Sequence, residues 1–351
     1  MINVKDYGAK GDGVTDDTAS INAAIAATGI GGTCYFPTGV YMVNKTGLQT
    51  LSGVTLLGDP HQSVLRTLTP FDHPYDGLVR APWGSINMAL RYLSFDMQSW
   101  QGSAVYFRDC TYWAAEDCQF ENLLNWGLDI TGGSNFRVEG CSFSDVTNGN
   151  AQATGKAGII LTRDDSGSCR NYRIINNQFT GTDISAGGTD GIISGNFVTG
   201  VTAGSGIFTT TDSERLIIEN NSCASGRGRD INRTAILGYE LWGKNLIIRG
   251  NIATDNDGGG LSWGAKNSVV TDNLCYDNGR TTNYAGLNAR YIDDTNNAGG
   301  SLVVGNRCFD SLGANGTQGY GFAYQVSSLV PTVIMGKNHF AGNKFGDTKI
   351  P

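Results

Sequence analysis

Histidine is almost missing from this 351-residue chain: His61, His73 and His339 are the only three, and none falls between residues 74 and 338. Ser-His-Asp chemistry therefore has no support across the middle of the protein. Charged residues are scarce as well, at 16%. The formal net charge is −7, which makes nucleic acid and anionic membrane surfaces poor partners. No apolar run is long enough to span a bilayer, so no membrane insertion is expected. Residues 1 to 20 lack the basic start and apolar stretch of a secretory signal. The eight cysteines form no Cys-x-x-Cys pair and have no histidine neighbours, which argues against structural zinc. No sequence pattern calls for a metal or a cofactor.

Glycine, by contrast, is abundant: 50 residues against 7 prolines, as many short strands and tight corners require. The opening "NVKDYGAKGDGVTDDTASINAAI" combines a strand-like start, a turn with Gly8, Gly11 and Gly13, and an acidic cluster. Thr15, Asp16 and Asp17 stand where a helix begins; Ile21, Ala24 and Ile25 form its apolar stripe, and Gly29 ends it. A strand around Cys34 to Phe36 follows. Asp12, Asp16 and Asp17 are read as turn and capping residues.

Further along, one pattern recurs. The segments "EDCQF", "EGCSF", "INNQF", "SGNFV", "ENNSC", "RGNIA", "TDNLC", "VGNRC" and "GKNHF" follow β-rich runs such as "LIIE" and "SLVV". Successive markers lie between 19 (Val198 after Phe179) and 36 residues (Phe179 after Phe143) apart. A minimum near ~20 with variable excess is the mark of solenoid coils carrying loops of different length. Asn177, Asn196, Asn221, Asn251, Asn273, Asn306 and Asn338 are expected to stack as an internal amide ladder. Cys118, Cys141, Cys223, Cys275 and Cys308 are expected to be small buried side chains. Leucine-rich repeats lack this irregular period, and a β-propeller needs a longer, steadier one. The expectation is all-β: a right-handed parallel β-helix.

The opening motif and the coil pattern together resemble the pectin-lyase-like β-helix superfamily, which includes phage tailspike depolymerases, polysaccharide lyases and alginate epimerases. The resemblance implies one domain over 1–351, with an N-terminal cap at 1–58 whose helix covers the open strand edge. Coils are expected over 59–345. It also implies a polysaccharide partner bound along one strand face, outside the cell or on a virion, by a monomer or a homotrimer.

A second recurrent strand supplies that face: "GLDIT" at 127, "GIILTRDD" at 158, "GTDIS" at 181, "GIFTTTD" at 206, "AILGYE" at 235, "GLSWG" at 260, "GLNARY" at 286 and "GFAYQ" at 321. The residue after Gly or Ala should point inward and the next outward. Outward residues would then include Asp129, Thr131, Thr162, Asp183, Thr210, Tyr239, Ser262, Asn288 and Arg290. Asp129 and Asp183 occupy matching places in two coils, with Asp164 between them. Such carboxyls could divide acid and base roles across a glycosidic bond. Asp212 and Glu240 are reserves. Trp126, Arg163, Tyr239, Trp242, Arg290 and Tyr291 are candidate sugar contacts, whereas Trp263 and Tyr324 are placed in the core.

Hydrolysis of a complex polysaccharide is the leading expectation. A polyuronate lyase or C5-epimerase is the first alternative; it would draw on Arg163, Arg290, Lys156 and Tyr239 to neutralise the acid. "WGLDIT" at 126 is similar to the Tyr-Gly-Phe-Asp-Pro-His of alginate epimerases, with Asp129 at the Asp and Thr131 at the His. A glycan-binding adhesin or tailspike without turnover is the second alternative.

Overall fold

The structure, a computed structural model, describes residues 1–73, 75–145, 157–165, 167–202, 204–228, 236–281, 284–291, 293, 297–326 and 333–349. It is a parallel β-helix. Each full coil gives one strand to each of three parallel sheets, and the chain divides into two compact units, Met1–Phe179 and Thr180–Pro351.

In the first unit, Ile2–Asn3 pairs with the strand Thr33–Phe36, and a 3-10 turn, Val4–Tyr7, leads towards helix α1, Thr18–Thr28. Ile21, Ala24 and Ile25 are buried and Gly29 ends the helix, as the spacing requires. Capping differs from expectation. Asp17 sits at the cap position, but its carboxylate accepts instead from the backbone N–H groups of Lys10 (2.6 Å) and Gly11 (3.0 Å). It clamps the glycine-rich turn, while Asp16 accepts from the Thr18 N–H at 3.0 Å. Inside the coils, Phe95, Phe120, Phe143 and Phe179 stack with centroids 4.8, 4.6 and 4.7 Å apart. Like residues meet because parallel strands in register repeat at about 4.8 Å.

In the second unit an amide ladder lines the corner two residues before that column. Asn196, Asn221, Asn251, Asn273 and Asn306 each donate a side-chain N–H to the amide oxygen of the next, ending at Asn338, over 2.9–3.0 Å. The same oxygens accept the backbone N–H of the preceding asparagine. In the first unit Asn177 bonds Cys141 N–H and Val138 C=O. A second stack was not foreseen: Asn256 to Asn278, Gln318 and Asn343. The eight cysteines are free and buried.

Candidate functional site

Glycines fix the frame of the sheet that holds the strands Ser103–Arg108, Trp126–Thr131 and Ala157–Thr162. A Cβ on Gly127 would strike the Gly158 carbonyl and the Phe143 ring; one on Gly206 or Gly238 would meet the next glycine's carbonyl and interior side chains. The residue after each glycine is core: Leu128, Ile159, Ile207, Tyr239, Leu261 and Leu287 are all fully buried. The second residue after the glycine starts the outer column.

This frame corrects three expectations. Ile184 pairs with Ile207, so Asp183 stands level with Gly206, in the glycine column. Asp183 and Asp129 therefore do not occupy matching places. The slip arises because Gly181 was taken as the anchor of a coil that has no glycine at that position. Tyr239 is likewise inward: its hydroxyl donates to the Asn221 and Ile252 carbonyls at 2.8 and 3.0 Å. Gly238, not Ala235, anchors that strand, so Tyr239 is no sugar contact. Trp242 does lie on the outer side but is 6% exposed, and Arg290 covers its ring at 4.5 Å. It is no open platform.

In the first unit the outer column runs Tyr106, Asp129, Ile160 on the strands Ser103–Arg108, Trp126–Thr131 and Ala157–Thr162. Asp129 is 2% exposed and its Oδ2 has no hydrogen-bond partner among the described residues. Burial disfavours the charged form and pushes this carboxyl up to about 7. The Ser103 hydroxyl lies near enough to pull the other way, short of a well-formed bond. Tyr106, half-buried, is also raised, first by burial and then by the Asp129 charge. Both groups thus hold their protons more tightly than in water.

The next outer position carries Arg108, Thr131 and Thr162. Arg108 Nε donates to Asp164 at 2.6 Å, and its guanidinium lies 3.9 Å from the centre of the Trp83 ring. Asp164 is thus tied to a cation. Thr131 and Thr162 hydroxyls bond each other at 2.9 Å. Trp126 is 6% exposed because Tyr75 stacks on it at 5.3 Å, and Tyr75, 57% exposed, presents the open ring. Arg163 is exposed just beyond the strand end.

In the second unit Glu240 takes the outer position. It accepts from Arg290 at 2.5 Å and from the Ser205 hydroxyl at 3.2 Å. Gly264 is glycine because the Trp242 ring fills the space a Cβ would need. Asp183 is buried, its Oδ1 has no partner among the described residues, and burial holds its carboxyl well above the usual range. Asp212 sits in a turn, accepting from the Thr210 hydroxyl. Trp263 is fully buried and Tyr324 half-buried, in line with core roles. Tyr291 ends the strand Leu287–Tyr291, but its side chain, like all of Lys156, lies outside the described residues. Sequence reasoning missed Tyr106, Ser103 and Tyr75. "SAVYFRD" carries the same alternation one coil earlier and could have revealed the first two.

A family model described as rhamnogalacturonase A/epimerase, pectate lyase-like, matches residues 1–285. The chain belongs to this family. Among curated proteins, the chain is similar to mannuronan C5-epimerase AlgE4 of Azotobacter vinelandii, 41% identical over 105 residues. That match covers 27% of this chain and 19% of the epimerase, so the chain spans only a small part of it. The A-module of the same epimerase superposes with a TM-score of 0.76 at 22% identity, over 99% of this chain and 97% of the module. PfbA, a surface adhesin of Streptococcus pneumoniae, reaches 0.76 at 16% identity, over 99% of this chain and 91% of PfbA. At these identities the structural likenesses speak to fold. Among the described residues no helix is long and apolar enough to cross a membrane.

Proposed function

We propose that this protein acts on a uronic-acid-containing polysaccharide by removing the proton beside the sugar's carboxylate, as an epimerase or a lyase does. Asp129 would be the base and Tyr106 the acid facing it. The observation that carries this reading is the buried Asp129 carboxyl, pushed up to about 7 beside a half-buried phenol on the adjoining strand.

The chemistry follows from those protonation states. A carboxylate of near-neutral pKa is a stronger base than an ordinary one, yet still ionised in part at neutral pH. It can take the C5 hydrogen, becoming a carboxylic acid. Tyr106 keeps its proton at neutral pH. It can return a proton to C5 from its own side, inverting the centre, or protonate the departing C4 oxygen if that bond breaks. In both cases the phenolate regains a proton from Asp129 through solvent.

Hydrolysis is the weaker reading. It needs two carboxyl groups flanking one bond, yet Asp183 is in the glycine column and Asp164 is bound to Arg108. The matched stretch shared with mannuronan C5-epimerases supports proton abstraction. Such a polymer would be met outside the cell or at a virion surface.

Purified protein incubated with polymannuronate, alginate and polygalacturonate tests this. Exchange of the C5 hydrogen with labelled water, or near-ultraviolet absorbance from a new double bond, is the expected result. New reducing ends with neither signal would establish hydrolysis instead, and binding without turnover would leave an adhesin.

A further inference from the structure

A second polar surface lies in the first unit, on the outer face of a different sheet from the one that carries Asp129. A groove of about 420 Å³ crosses the strands Ile86–Arg91, Thr111–Glu116, Ser134–Glu139 and Arg170–Ile175. Its lining holds three arginines, Arg91, Arg137 and Arg173, against one carboxylate, Glu116. In a chain of net charge −7 that local excess of positive charge runs against the average.

The arginines are placed by register. Ala89, Ala114, Arg137 and Arg173 form one outward row, and the two alanines leave the groove open beside the two guanidinium groups. Glu116 is shared: Arg91 Nε donates to it at 2.6 Å, and Arg137 donates to its other oxygen. Arg137 also reaches Glu139 at 3.2 Å. Arg173 is exposed and has no carboxylate partner among the described residues. One cation in a fixed row is left without a carboxylate among the described residues.

Tyr112 gives the groove an aromatic wall, at a backbone position that favours other residues. Thr111 pairs with Ile86 and Ser134, and Ser134 with Arg170, so the following residues, Asn87, Tyr112, Asn135 and Asn171, stand in one column. All four have positive φ, at 57°, 55°, 56° and 49°. Asparagine enters this left-handed region readily, whereas a bulky ring does so at a cost. Tyr112 is 60% exposed and recovers little of that cost by burial. An exposed ring held beside fixed guanidinium groups suits the apolar face of a sugar whose carboxylate meets the arginine.

We propose that this groove is an accessory site for a segment of anionic polysaccharide, with Tyr112 stacking on a sugar ring and Arg173 binding a uronate carboxylate. The substrate class rests on the proposed function; the site does not use Asp129 or Tyr106. An anchor on a second face would raise the local concentration of a long polymer at the catalytic strands.

The test is affinity electrophoresis of the Asp129→Asn protein through gels containing alginate, polygalacturonate or neutral dextran. Arg173→Glu and Tyr112→Asn are introduced in that background, and folding is checked by circular dichroism and melting temperature. Tyr112→Asn installs the residue that neighbouring coils already use at this backbone angle. Each change should weaken retention in the acidic gels by about five-fold or more and leave dextran mobility unaltered. Retention unchanged in both folded variants, or absent from the parent protein, overturns the proposal. The catalytic reading is scored separately on wild-type turnover: groove-dependent retention without turnover would refute that reading alone, and turnover with unchanged retention would refute the groove alone.

Discussion

Asp129 and Glu240 hold the same place in their respective coils, two residues after the inward glycine, and their surroundings are opposite. Glu240 meets Arg290 and the Ser205 hydroxyl, and the same arginine covers Trp242. Asp129 meets a phenol on one side and the aliphatic Ile160 on the other, and its pKa rises to about 7. Strand alternation decides only that both carboxyls leave the coil interior. The residues brought alongside by other coils, Tyr106 one coil from Asp129 and Arg290 two coils from Glu240, decide whether a carboxyl becomes a salt-bridge partner or a proton-transfer group.

The largest expected effect separates the two directly. Asp129→Asn should lower turnover of the polyuronate by about 10²- to 10⁴-fold, while Glu240→Gln stays within about three-fold of wild type. Equal losses in both would erase the distinction. With Asp129 as base, the wild-type rate should rise with pH through about 7 and then level off; a profile flat across neutrality would remove Asp129 from the chemistry.

Asn251→Leu should have the next largest effect, on stability. It removes the acceptor of Asn221 and the donor to Ile218 C=O, leaving buried polar groups unpaired. A loss of about 2 to 4 kcal/mol is expected, read as a lower melting temperature; an unchanged one would deny the ladder its weight.

Asp129→Asn should also stabilise the fold, in a pH-dependent way. The folded pKa lies above the usual 3.8, so between roughly pH 4 and 7 the native carboxyl keeps a proton that the unfolded chain has released. Wild-type stability from this group therefore falls as pH rises through that window, and above it the buried charge is carried in full. The variant's advantage should grow from nothing near pH 4 to about 1 to 3 kcal/mol near pH 8. Denaturant titrations at both pH values would measure it, and a constant difference would contradict the assigned burial. Glu240→Gln is the smallest change: about 1 kcal/mol of stability lost in denaturant titration at neutral pH, because Arg290 keeps its aromatic contact.

The fold was largely legible because a β-helix writes itself into the sequence repeatedly. Each coil restates the asparagine and small-residue pattern, so loop insertions blur the spacing without hiding it. The candidate site was legible only in part. Asp129 was found because "GLDIT" keeps its glycine, whereas "GTDIS" and "AILGYE" mislead: the glycine column there holds Asp183 in one and Gly238 in the other. A wrong anchor turned Tyr239 from core to surface. The stack Asn256, Asn278, Gln318 and Asn343 escaped notice because a glutamine interrupts it.

By itself the sequence determined the repeat, the inward direction of the residue after a column glycine, and the amide ladder. These follow from local spacing and residue type, which the chain states many times over. Tertiary structure decided which residues share a column, because register is set by pairing between segments that variable loops separate. It also decided protonation: burial of Asp129 beside Tyr106, and of Glu240 against Arg290, depends on neighbours some 20 to 50 residues away in the chain.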